Sequence, residues 1–173
     1  MSPTVSRNVL RAIILLLFQG LVFRSVNLGW SNFAFIQVFV YPLFLLMLPI
    51  KISKAWALVI AFIYGFAIDM FYHSPGLHTA AALITVFARP LLLNYFEPRG
   101  GYKVSAKPTK DDLGSAWFYR FVAAGFAIHL TAYFLIEAFT LLALPSSLLR
   151  ATLCFIPSMA IILLYTTIFN LKE

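Results

Sequence analysis

The side chains of this chain that could do chemistry are few, and most stand inside apolar sequence. Between Gly65 and Pro90 runs GFAIDMFYHSPGLHTAAALITVFARP, with Asp69 ending one greasy stretch and Arg89 inside the next. A carboxylate there could accept a proton, hold a cation or pair with a buried base. Ionised groups are costly in hydrocarbon and are kept there for a structural or functional reason. His73 and His78, five residues apart in the intervening turn, could supply two metal ligands. Two ligands make a weak metal site, and Pro75 and Gly76 are explained by turn geometry alone. Farther on, Gly125, His129, Tyr133 and Glu137 recur at every fourth position. No G-x-S-x-G elbow, H-E-x-x-H helix or P-loop occurs. Asp69 and Glu137 lack the paired-aspartate pattern of an intramembrane protease, and no aspartate cluster suits a metal-dependent phospholipid transferase. The pattern names no catalytic residue, no metal ligand set and no cofactor.

The elements that must position these residues are membrane spans. Of the 173 residues 62% are hydrophobic and 11% charged, against about 25% charged in soluble domains. Mean hydropathy is +0.91, and the apolar residues come in blocks of spanning length rather than in the alternation of a β-barrel. Six segments qualify: 8–23, 33–50 (interrupted by Pro42), 55–71, 77–96, 117–144 and 148–170, the last with Pro157 as a kink. The expected fold is an all-α integral membrane protein, one compact bundle of six transmembrane helices forming a single domain over 1–173. The N-terminal MSPTVSRNVLRAIILLLFQG resembles a signal peptide but offers no small-residue cleavage site, so it reads as the first retained span. Cys154 has no partner cysteine and reads as a small buried hydrophobe.

Basic residues set the orientation. Arg7, Arg11, Lys51, Lys54, Arg99, Lys103, Lys107, Lys110, Arg120 and Lys172 fall on one side, with Arg24 and Arg150 opposite. Both termini are therefore expected in the cytoplasm, with the His73–His78 turn outside. The net charge of +7 follows from this bias, so anionic membrane lipids rather than nucleic acid are its natural partner. The one long connector, 97–116, is polar and rich in Gly and Pro, and is expected to be a mobile cytoplasmic loop.

Two stripes point inward. Ala57, Ala61, Gly65 and Asp69, four apart, form a small-residue groove into which a neighbouring helix can settle. Asp69 at its end is either hydrated or bonded to the turn, or is buried in assembly. Gly125, His129, Tyr133 and Glu137 form the second stripe, a face turned into the bundle rather than to lipid. Arg89 and Glu137 both fall in the outer-to-middle part of the bilayer at 1.5 Å per residue. This suggests that Arg89 bonds Glu137 or Asp69, or else snorkels inward. Gln19 and Gln37–Tyr41 read as helix-packing hydrogen-bond formers.

The chain resembles the rod shape-determining protein MreD family. The likeness is carried by RNVLRAIILLLFQGLVF followed by NLG, by GFAIDMFYHSPGLHTAAA, by ARPLLLNYFEPRGGY and by the late LIEAF. The family core, a glycine, an aspartate about four residues later and a second glycine after a short gap, falls here on Gly65, Asp69 and Gly76. The resemblance implies a non-enzymatic scaffold of bacterial cell-wall elongation in the cytoplasmic membrane. It implies MreC as direct partner and, through it, MreB, RodA and penicillin-binding protein 2, with homodimer formation left open. It also implies a fold similar to the S components of energy-coupling-factor transporters. The competing reading is a small-molecule-binding subunit of a vitamin-type transporter. Its pocket would be lined by Asp69, His73, His78 and the Glu137 stripe.

Overall fold

The computed structural model describes residues 3–25, 28–30, 33–103 and 106–168. Helix α1 (Pro3–Leu17) continues through a π-helical turn (Phe18–Val22) and a 3-10 turn (Phe23–Ser25). Two short antiparallel strands follow, β1 (Leu28–Trp30) and β2 (Phe33–Ile36). Then come α2 (Pro42–Leu46), α3 (Lys54–Tyr72), α4 (Leu77–Tyr95), α5 (Lys110–Leu113), α6 (Ser115–Ala138), a 3-10 turn (Leu141–Ala143) and α7 (Leu144–Ile168). Five helical stretches, Asn8–Ser25, α3, α4, α6 and α7, are long and apolar enough to cross a membrane. The chain is thus a predominantly helical, multi-pass membrane protein.

The segment 33–50, expected as a second spanning helix, is not one. It is strand β2, an extended stretch over 37–40, and the five-residue α2 that opens with Pro42 at its first turn, where proline's missing N–H costs nothing. Every residue from Val38 to Leu48 is buried. The segment is apolar all round because it forms the centre of the bundle, not because it faces lipid. At membrane depth, non-helical backbone persists only when protein supplies its hydrogen bonds. Here the amide of Gln19, fully buried in the π-helical turn, donates to the Val38 carbonyl (3.0 Å) and accepts from the Val40 N–H (2.8 Å). It acts as a peptide group of a neighbouring strand would. The Phe39 N–H donates to Ser158 Oγ (2.9 Å) and the Gln37 N–H to Cys154 Sγ (3.3 Å), both on α7.

Other boundaries also have local causes. Ser53 caps α3 by accepting from the Trp56 N–H (3.4 Å). Helix α6 stops at Ala138, short of the expected 144, because Phe139 turns left-handed (φ 51°). The described parts of the connector, 97–103 and 106–114, pack back on the bundle. Tyr102 donates to the Leu93 carbonyl (2.7 Å), Trp117 Nε1 to the Phe96 carbonyl (2.6 Å), and Lys110 Nζ to the Thr166 carbonyl (2.5 Å).

Candidate functional site

At the α3–α4 turn, Asp69 is buried and its carboxylate accepts five donors. Oδ1 takes Ser74 Oγ (2.6 Å), the His78 N–H (2.9 Å) and His78 Nδ1 (3.1 Å). Oδ2 takes the Thr79 N–H (3.0 Å) and Thr79 Oγ1 (2.6 Å). The two backbone donors belong to the second and third residues of α4, which need a capping acceptor. The residue in the capping position is Gly76, which has no side chain and adopts φ 84°. Asp69 therefore caps α4 from the preceding helix, with its charge against the positive end of the helix dipole. A Cβ on Gly65, one turn below Asp69, would lie 2.6 Å from Thr79 Cα. The missing side chain lets the start of α4 come within reach of the carboxylate. Gly65, Asp69 and Gly76 are thus one device: close approach, cap and turn. Ala57 and Ala61 are buried along the same helix.

Ser74, His78 and Asp69 lie within hydrogen-bonding distance of one another, yet they form no proton relay. The Ser74 proton goes to Asp69, and the same ring nitrogen, His78 Nδ1, meets both Ser74 Oγ (3.0 Å) and Asp69. A nucleophile–base–acid chain would need the two ring nitrogens to face different partners.

Deeper in the bundle, His129 joins the central segment to α4. Thr85 Oγ1 donates to the Ala81 carbonyl (2.7 Å), so His129 Nδ1 must be the donor in its 2.8 Å contact with Thr85. Its Nε2 then accepts from the Tyr41 hydroxyl (2.7 Å). This assigns a neutral imidazole with both nitrogens in use. Tyr133, on the same face of α6, packs edge-on to Phe39 (4.9 Å) and His78 (4.9 Å). Gly125 makes room for α2, since a Cβ there would lie 2.5 Å from the end of the Leu46 side chain.

Arg89 pairs with neither Glu137 nor Asp69, so of the alternatives the sequence left open the acidic pairing fails. Twelve residues into α4 puts it about 18 Å from the turn, whereas Asp69 and Glu137 both lie at the turn end. Its buried guanidinium instead reaches the carbonyl of Leu46, the last residue of α2, and those of Leu48 and Pro49 just beyond it. Nε donates to Leu46 O (3.1 Å), and Nη2 donates to Leu48 O and Pro49 O. A cation at a helix C-terminus satisfies carbonyls that have no intrahelical donor. Glu137 pairs with Arg150 of α7 (2.5 Å), with both side chains about one-third exposed.

Gln19, Ser158 and Thr79 carry as much of the interior bonding as the residues the sequence singled out. Gln19 alone gave a signal, an amide inside an apolar run. Thr79 and Ser158 are of types common in membrane helices, and nothing in the sequence marks them.

Among the recesses formed by the described residues, three adjoin the groups discussed above. One lies against the α3–α4 turn and includes Asp69, His73 and Met70. A second, of about 240 Å³, lies between α1 and α7 and is lined by Leu15, Phe18, Val40, Leu43, Ile161 and Tyr165 among others. A third, of about 220 Å³, borders Arg89. No protein-family model, curated protein or solved structure matches the chain. What the fold defines is a class: a multi-pass helical membrane protein whose interior polar groups are engaged mainly by its own backbone and side chains.

Proposed function

We propose that the protein is a non-enzymatic membrane scaffold of bacterial cell-wall elongation, of the MreD kind, which binds MreC and so links MreB filaments to RodA and penicillin-binding protein 2. The observation that carries this reading is the joint role of Gly65, Asp69 and Gly76. The three positions on which the family resemblance rests build a single helix-capping device, and its carboxylate has every acceptor site taken. A ligand-binding carboxylate would need a free oxygen. Asp69 and His129 are both occupied internally, and Glu137 is held by Arg150. This weighs against the transporter reading, in which these same residues would line a small-molecule pocket.

Counting the central segment as a broken sixth crossing gives a six-crossing bundle, as the family resemblance implies. Residues 37–49 run from the level of Gln19 and Cys154 to that of Arg89. Both termini and most of the lysines then share the cytoplasmic side. The apolar cleft between α1 and α7 offers a seat for the transmembrane helix of a partner.

The test is capture of MreC by the affinity-tagged full chain, alongside depletion in a rod-shaped cell. MreC recovery and rounding of depleted cells are expected, and Asp69→Ala should lower recovery. A vitamin retained by the purified protein, with normal cell shape on deletion, would overturn the reading. Recovery at the wild-type level from Asp69→Ala would count against the role given to that residue.

A further inference from the structure

Arg89 is a buried cation with donors left over. Its Nε–H and Nη2 serve three carbonyls, and among the described residues Nη1 has no partner. Among the described residues no carboxylate bonds the guanidinium. Arg89 borders a recess of about 220 Å³ between α3 and α4, at the end of the bundle that carries Lys51, Arg99 and Lys103. Lys54 also lines it. That ammonium lies 4.1 Å over the Phe87 ring and makes no ion pair among the described residues. Asn94 adds an exposed amide, and Tyr102 walls the recess with its hydroxyl fixed on the Leu93 carbonyl. Glu97, the acid on the loop that carries Tyr102, is exposed and bonds neither cation.

Two cations thus share one recess with no anion among its described lining residues, one of them 97% buried and still holding a free pair of N–H groups. The two N–H groups of Nη1 and the Lys54 ammonium, lining one recess, can each donate to the oxygens of a phosphate. The apolar walls, Ile52 and Leu93, and the exposed Phe87 and Leu91 on α4 suit acyl chains. We propose that this recess is a phosphate-binding site, filled by the headgroup of an anionic phospholipid or by free phosphate, with Arg89 and Lys54 as its anion-binding residues.

The test uses the full chain in detergent and native mass spectrometry. Dioleoylphosphatidylglycerol, dioleoylphosphatidylcholine and inorganic phosphate are the probes. Lys54 is exposed and can be changed without disturbing the interior, so Lys54→Gln is the main variant. Arg89→Lys, which keeps the charge and loses the free Nη1 donors, is the second. Phosphatidylglycerol should be retained in preference to phosphatidylcholine. Lys54→Gln should weaken that retention about fivefold, the equivalent of roughly 1 kcal/mol per basic residue near an anionic surface. Displacement of the lipid by millimolar inorganic phosphate would assign the site to free phosphate, and persistence would assign it to the headgroup. Equal retention of the two lipids with no binding of phosphate would overturn the proposal. So would phosphatidylglycerol retention unchanged in both variants, once their unfolding temperatures match the wild type.

Discussion

Asp69 and Arg89 are both buried ionised groups, and neither is neutralised by a carboxylate or a second guanidinium. Each instead meets the end of a helix. Asp69 takes the free N–H groups at the start of α4, and Arg89 takes carbonyls at and just beyond the end of α2. The difference lies in what is left over. The aspartate is saturated by five donors contributed by only three residues, all on or beside one turn. The arginine reaches across to a segment more than forty residues away in sequence, keeps Nη1 without a partner among the described residues, and borders a recess. One charge closes a hairpin; the other holds down the broken central segment and still has bonding capacity. Helix ends can thus stand in for a counter-ion, and the unused valences separate a purely structural charge from one that can also bind.

The largest effect should come from Asp69→Ala. It strands two backbone N–H groups and two hydroxyls, each costing about 1–3 kcal/mol when buried without a partner. Little folded protein should be recovered by size-exclusion chromatography, while Asp69→Asn, which keeps one acceptor, should be recovered partly. If the alanine variant unfolds at the wild-type temperature, the cap is not what holds the hairpin. Next comes Gly65→Ala, whose Cβ would meet α4 backbone at 2.6 Å. Overpacking of this kind costs up to about 3 kcal/mol. Gly125→Ala meets only the movable end of Leu46, so its shift in unfolding temperature should be clearly smaller. Arg89→Met should cost about 1–2 kcal/mol, less than Asp69→Ala, because it relieves a buried charge while freeing carbonyls. A larger loss from Arg89→Met than from Asp69→Ala would invert the comparison. Glu137→Gln breaks an ion pair that is about one-third exposed and should stay below about 1 kcal/mol. Urea unfolding followed by tryptophan fluorescence ranks all of these.

The hairpin was largely legible in the sequence. Glycine four residues before an aspartate, with a second glycine in the turn, pointed to an interface there, and the small-residue stripe of α3 pointed inward. The central segment was not legible. An unbroken apolar run reads alike whether it faces lipid as a helix or lies buried as extended chain, and only Pro42 and Gln19 hinted at the second case. Of the alternatives open for Arg89, the acidic pairing fails, since Asp69 and Glu137 lie at the other end of the bundle. Its actual partners are main-chain carbonyls, which no residue type announces. The bonds of His129 to Tyr41 and Thr85 join positions 88 and 44 residues apart, so spacing along one helix could not reveal them.

The central claim is that Val38–Leu48 forms the protein's core and is fastened by Gln19, Ser158 and Arg89. Labelling from the lipid phase tests this most directly, with a carbene-generating phospholipid analogue in bilayers and peptide mass spectrometry as the readout. Exposed residues such as Leu10, Ile13, Phe62, Ile63 and Leu164 should be labelled, while 38–48 stays unlabelled until Gln19→Leu loosens it. Labelling of 38–48 in the unaltered protein at the level of α3 would contradict the claim and restore a lipid-facing second helix.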